Sequence, residues 1–354
     1  MNYFIKEFQL SEGVKFTAGI KARDDIEDLL LKKKFKTIQI EVNKESRTGG
    51  ILKKLKYHFD IMNEWERKCE KLSPNDVLLI QFPIINHSIF IEKLIKKLQK
   101  RGVIIKILVH DLEIFRVVLN ETSSIRKKIR IKYEETSILK LSDIIIVHNE
   151  FMKNKLIEFG YDGKKQKCLE IFDYLIPNYV EPNDETVNLE LPIIIAGALR
   201  KHKAGYVYDL PNNVEFNLYG VGYENQNLEN IHYYGVFPPD DLPFSLKGSF
   251  GLVWDGLSSD TCSGIYGEYL KINNPHKTSL YLSAGIPVIV WKKAAIAKFI
   301  LDNDCGIVVE SLNEIKDFLA NMSKERYGAI LCNARKVGAK LREGHYTFKA
   351  LELK

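Results

Sequence analysis

The segment NNPHKTSLYLSAGIPVIVW (273–291) reads as a cap, a short helix, a glycine stop and a buried strand, with His276 and Lys277 in the helix's first turn. A helix N-terminus carries four unpaired backbone N–H groups and about half a positive charge, so acids belong there and lysine does not. Asn274 suits the N-cap and Pro275 the first helical position. An anion lodged there would remove the conflict, because N–H groups, dipole and ammonium together make a phosphate site that Lys277 and Thr278 would share. A lysine bent away into water would remove it as well.

Other residues could join such chemistry. AGALRK (196–201) leaves an apolar run through small residues and delivers Arg200, whose guanidinium can grip phosphate oxygens in two-pronged fashion. WDG (254–256) offers Asp255 to a sugar hydroxyl, or Asp255 simply forms a turn. Tyr219 and Tyr234 could stack on a flat base or fill space. In the first half, HDLE (110–113) supplies His110 and Asp111 as general-base candidates at a strand end. His148 has the same standing, and a histidine at a strand end is more often structural. TAGIKARDDI (17–26) is a small-residue loop entering a helix. Asp302-Asn303-Asp304 spells DxD, the metal-holding pair of one transferase class, but it lies between a helix and a strand, where a polar turn is the better reading.

The elements that must position these groups alternate. KTIQIEV (36–42), NDVLLIQFP (75–83), VIIKILVH (103–110), DIIIVHN (143–149) and CLEIFDYLIP (168–177) read as strands, separated by amphipathic helices such as 24–35 and 88–102. After 176–192, rich in proline, acid and asparagine, the alternation resumes with PIIIAGALR, NVEFNLYG, NIHYYG, SFGLVWDG, IPVIVW and CGIVVE. This predicts an α/β protein of two Rossmann-like domains facing across a cleft, at 1–178 and 190–322, with a C-terminal helix (323–354) that can cross back onto the first. Ligands of such sheets bind at the carboxyl ends of the strands, the edge at which the 276 helix begins.

Composition narrows the class. With 45% hydrophobic and 28% charged residues the chain is globular, and it has no apolar run long enough to span a bilayer. The N-terminus has no signal-peptide profile, and five scattered cysteines without a CxxC fit a reducing cytosol, so a cytoplasmic location is expected. Residues 1–175 hold 34 Lys and Arg against 25 Asp and Glu, whereas the remainder is acidic by 18 to 21. Runs such as LKKKFK (31–36), IKKLQKR (95–101) and RKKIRIK (126–132) are solvated helix faces, or they draw the first domain to anionic lipid at the inner face of the membrane. Nucleic acid is disfavoured, since aromatics do not interleave with the basic runs. GxGxxG, P-loop, HExxH and clustered His/Cys ligands are all missing, which argues against nicotinamide, flavin, P-loop hydrolysis and a metal centre.

The ordered set TAGIKARDDI, HDLEIFR, LSDIIIVHNEFMKNKL and WDG…DTCSGIYGEYLKINNPHKTSLYLSAGIPVIVW resembles a bacterial family of GT-B sugar transferases. That family includes β-1,6-galactofuranosyltransferases of polysaccharide assembly and the streptococcal glucosyltransferase that extends adhesin glycans. The resemblance implies a UDP-sugar on the second domain, a saccharide acceptor approached from the first, no metal or other cofactor, and a homo-oligomer. Carried onto this chain, Arg200, Lys277 and Thr278 hold the diphosphate; Tyr219 or Tyr234, with Asp255, Asn274 and His276, meet nucleoside and sugar; Thr17, Gly19 and Lys21 line the acceptor side. One departure matters. Many retaining GT-B enzymes place two glutamates eight positions apart, and here Glu268 is followed at that spacing by His276.

The sequence therefore predicts a metal-independent, inverting transfer of galactofuranose or glucose from a UDP-sugar to a lipid-linked or protein-linked saccharide, with Asp111 as first choice of base and His110 second. Two rivals remain: a nucleotide-sugar epimerase of the same fold, and a non-catalytic partner of another transferase.

Overall fold

The computed structural model describes residues 1–8, 18–41, 50–86, 88–119, 135–224 and 228–353. Thr17 and the basic run 126–132 lie outside these residues.

In the first unit the elements run β1 (Asn2–Phe8), α1 (Ala18–Lys32), β2 (Lys36–Glu41), α2 (Ile51–Cys69), β3 (Val77–Phe82), α3 (Ile91–Lys100), β4 (Ile104–Val109), α4 (Glu113–Leu119), α5 (135–141), β5 (Ile144–Val147), α6 (Glu150–Glu158) and β6 (Gln166–Cys168). All six strands are parallel, in the order β2-β1-β3-β4-β5-β6. Helices on both faces bury strands on both sides, which is why VLLIQF and IIIV carry almost no polar residue. The expected strand 168–177 shrinks to its first residue, and 169–192 contains neither helix nor strand. In its place β1, unexpected from NYFIKEF, sits between β2 and β3 with Phe4 fully buried.

The second unit contains β7 (Ile193–Ala198), α7 (Lys201–Ala204), β8 (Phe216–Val221), β9 (Ile231–Tyr233), α8 (Leu242–Ser245), β10 (Gly251–Val253), α9 (Gly264–Leu270), α10 (His276–Ser283), β11 (Val288–Trp291), α11 (Ala297–Asp302), β12 (Gly306–Val309), α12 (Ile315–Ala320), α13 (Lys324–Glu343) and α14 (His345–Leu351). Its parallel strands follow the order β9-β8-β7-β10-β11-β12, the dinucleotide-fold order, which reverses direction between β7 and β10.

The compact units divide between Cys168 and Leu169, ahead of the expected 178–190 boundary, and α1 as far as Asp25 counts with the second. The tail also belongs to the second unit. Gly338 of α13 lies so close to α10 that a Cβ there would stand 2.1 Å from the Leu282 carbonyl oxygen. Asp173 accepts the Tyr346 and Thr347 N–H groups at the start of α14, so the tail does return to residues before 178, but these count with the second unit.

Candidate active site

The loops after β7 and β10 flank the reversal of the second sheet, where ligand crevices of this architecture form. They are laced together: Gly256 N–H donates to the Lys203 carbonyl, and Tyr206 N–H donates to that of Gly256. Gly256 sits at φ +121°, with the Ser263 backbone where a Cβ would point. Helix α10 is held from below. Tyr281 passes beside Gly251, and its hydroxyl accepts the buried Ala196 N–H at 2.7 Å. Ser283 Oγ donates to the Tyr174 carbonyl at 3.0 Å.

Helix α10 starts at His276 with Pro275 as its cap, one residue later than expected. Asn274 is not the cap: its Nδ2 donates to the Glu170 carbonyl. Lys277 folds back to the end of β10, where its Nζ donates to the Trp254 carbonyl at 2.7 Å and to Asp255 Oδ1 at 2.9 Å. The lysine that conflicts with the helix dipole thus has a built-in counterion, which the sequence reading did not pair with it. His276 adds no charge. Its ring stands 5.0 Å from Tyr174 and 6.1 Å from Phe172, and burial, aided by Lys21, lowers its pKa to about 3. His276 Nε2, Thr278 Oγ1 and Ser279 Oγ are enclosed in the first turn of α10 without a hydrogen-bond partner.

Arg200 differs. It is exposed at the end of β7 and forms no ion pair among the described residues. Its stem lies across Gly222, at φ +84°, so closely that a Cβ there would be 2.4 Å from Arg200 Cγ. Beside it Gly220, at φ +141°, has the Gly197 carbonyl oxygen 1.8 Å from its missing Cβ. Gly220 and Gly222 thus bring two strand ends and Arg200 together. Tyr219 is buried, its hydroxyl accepting the Lys247 N–H, and burial raises its pKa to about 12. Tyr234 stacks on it at 5.0 Å and 9° and is half exposed, so only Tyr234 of the two offers a ring face.

The polar groups described at the ends of β4 and β5 find partners within the first unit. At the end of β4, His110 Nε2 lies 2.6 Å from Gln81 Oε1. Asp111 Oδ2 lies 2.5 Å from Arg116 Nη2. Glu135, which the sequence reading passed over, accepts the Glu113 and Ile114 N–H groups that open α4, and burial lifts its pKa to about 8. His148 is buried against the Val109 carbonyl with its pKa lowered to about 4, a structural placement. Gly19 lies in α1. Lys21, expected on the acceptor side, is instead buried within the second unit, its Nζ 2.6 Å from Asp25 Oδ1 and 2.8 Å from Asp240 Oδ1. In the DxD segment, Asp304 is gripped by both terminal nitrogens of Arg326 and Asp302 pairs with Lys298.

Two family models cover nearly the whole chain: the N-terminal domain of glucosyltransferase 3-like proteins matches residues 2–171, and their C-terminal domain matches 193–353. This chain belongs to the glucosyltransferase 3-like family. It is 34% identical to the β-1,6-galactofuranosyltransferase WbbI of Escherichia coli (strain K12), over 99% of this chain and 97% of WbbI. Among solved structures it resembles the sucrose-phosphate synthase of Thermosynechococcus elongatus, with a TM-score of 0.63, 12% identity and coverage of 99% and 96%. It also resembles Anabaena Alr3699/HepE, solved in complex with UDP, with a TM-score of 0.59, 10% identity and coverage of 99% and 98%. The fold is GT-B and the protein is a glycosyltransferase, as the resemblance implied. No helix among the described residues is long and apolar enough to cross a membrane.

Proposed function

We propose that this glycosyltransferase moves galactofuranose or glucose from a UDP-sugar to a saccharide acceptor, lipid-linked or protein-linked, in polysaccharide or glycoprotein glycan assembly. The observation that carries the reading is the pair of cations at the reversal of the second sheet, Lys277 at a helix N-terminus and Arg200 without a carboxylate among the described residues. The UDP bound by HepE, a protein of the same fold, supports a nucleotide diphosphate as the anion. In this reading Arg200 and Lys277 hold the diphosphate, the helix N–H groups add to them, and Tyr234 faces the nucleoside. Lys277 then exchanges Asp255 for phosphate oxygens, which frees Asp255 to accept a sugar hydroxyl. Helix dipole and basic side chains take the leaving group's charge without a metal, and the engagement of Asp304 by Arg326 supports this.

The proposed chemistry is inversion. Glu268 has both carboxylate oxygens on Lys271, at 2.8 and 2.7 Å, and a neutral histidine occupies position 276. Asp111, fixed at the end of β4 by Arg116, deprotonates the acceptor hydroxyl as it attacks the anomeric carbon. The enzyme works as a cytoplasmic homo-oligomer in peripheral contact with the membrane. Calorimetry of the metal-free protein with UDP, UDP-glucose and UDP-galactofuranose tests the donor. Binding of UDP with preference for one sugar is expected, and absence of binding to all three would overturn the reading.

A further inference from the structure

Helix α2 buries Tyr57, Ile61, Trp65 and Cys69 along one face and turns a second apolar stripe outward. Leu52, Leu55 and Phe59, spaced three and four apart on the solvent side, are 85%, 40% and 50% exposed. The stripe continues off the helix. Phe59 packs on Phe90 with ring centroids 4.8 Å apart, and the neighbouring Ile89 is 40% exposed. Lysines frame it: Lys53, Lys54 and Lys56 are exposed and unpaired among the described residues, and Lys93 Nζ lies 5.3 Å from the Phe90 ring. No acid stands in the first turn of α2 to balance Lys53 and Lys54 against the helix dipole. Acids begin only beyond the stripe, at Asp60, Glu64 and Glu66.

We propose that this face docks the protein on an anionic lipid surface, with Leu52, Leu55, Phe59 and Ile89 entering the headgroup boundary and the lysines meeting lipid phosphates. The inference rests on the peripheral membrane contact proposed above and gives it a surface, but it does not use the donor site. Apolar residues exposed beside unpaired lysines are the composition of an interfacial helix, and the charges lie at the same end as the apolar groups. A second copy of the chain fits less well. Crossing two α2 helices at Leu55 sets lysines against lysines, and sliding them to pair lysines with acids sets the leucines against Asn63 and Glu66.

Co-sedimentation of the full-length protein with phosphatidylcholine vesicles, with and without phosphatidylglycerol, tests the proposal. Binding is expected only with phosphatidylglycerol and should weaken with salt. Neutralising Lys53, Lys54 and Lys56 to glutamine should weaken it about a hundredfold. Leu52→Ser with Leu55→Ser and Phe59→Ser should weaken it about tenfold or more. UDP binding by the same variants should be unchanged, which keeps this test separate from that of the donor site. Neutralising Lys298, Lys316 and Lys324 of the second unit should have little effect. The proposal fails if wild-type protein ignores anionic vesicles, if either α2 variant binds as wild type does, or if the second-unit variant loses as much. It also fails if the serine variant dissociates an oligomer while vesicle binding persists, since the face would then join subunits.

Discussion

The carboxyl edges of the two sheets use similar residue types to opposite ends. In the first, Asp111 has Arg116, His110 has Gln81, and Glu135 satisfies the N–H groups of α4. In the second, Arg200 has no acid among the described residues, Lys277 has one carboxylate, and left-handed glycines bring the backbone close. Buried groups with internal partners stabilise a fold, whereas positive charge left over beside open backbone is suited to an anion. The first edge is organised around its own proton donors and acceptors, Asp111 among them, while the second keeps the positive charge that the proposed donor site uses.

The largest effect should come from breaking the second edge. Lys277→Ala removes the cation that bridges α10 and the end of β10, and it should lower donor kcat/KM by about 100- to 1,000-fold with circular dichroism unchanged. Asp111→Asn at the first edge should reduce turnover about 100-fold while UDP affinity is kept. If Lys277→Ala acts within a few-fold of wild type, or if Asp111→Asn abolishes UDP binding, the contrast between the edges collapses.

Glycine substitutions sharpen the same contrast at somewhat smaller cost. Gly160 in the first unit and Gly220 in the second both have positive φ, +83° and +141°, but only Gly220 has backbone where a Cβ would sit. Gly160→Ala should cost about 1 kcal/mol in denaturant titration, the strain of a left-handed alanine alone. Gly220→Ala should cost about 3 kcal/mol or more, because the Gly197 carbonyl must move as well. Equal losses would mean that close approach at the second edge is not what Gly220 provides.

Much of this was legible in the sequence, for definite reasons. Doubly buried parallel strands are continuous apolar runs, so IIIAGA, GLVW and VIVW announced themselves, and Arg200, Asp255 and Lys277 could be assigned to strand ends and a helix start. Strand β1 was not legible, because NYFIKEF carries Lys6 and Glu7 in its second half; β2 and β3 bury its middle all the same. CLEIFDYLIP looked like a strand because its apolar residues are buried, but they are buried as irregular chain, with Ile171, Phe172 and Tyr174 at 3% exposure or less. Pairings distant in sequence carry no local signal. Lys277 with Asp255, Glu135 beneath α4, and Lys21 with Asp240 are products of tertiary structure.

The last comparison of the two units runs through pH. Burial raises Glu135 of the first unit to about 8 and Asp173 of the second to about 7, above the carboxylate range of an unfolded chain. The stability linked to each is full below its unfolded pKa and is lost as pH rises through the folded value. His148 and His276 act oppositely. Lowered to about 4 and about 3, they contribute fully above their unfolded value near 6.5 and lose that contribution as pH falls. Above about pH 6.5 the histidines are therefore silent, and stability should fall by about 2 kcal/mol towards pH 8, most of it through Glu135. Glu135→Gln keeps a neutral side chain where the folded protein already favours one. Denaturant titrations of this variant should match wild type near pH 4, where the carboxyl is protonated folded and unfolded, and flatten the decline above pH 7. A decline that persists in full would move the linkage to Asp173, and the first edge would lose the buried acid that most distinguishes it from the second.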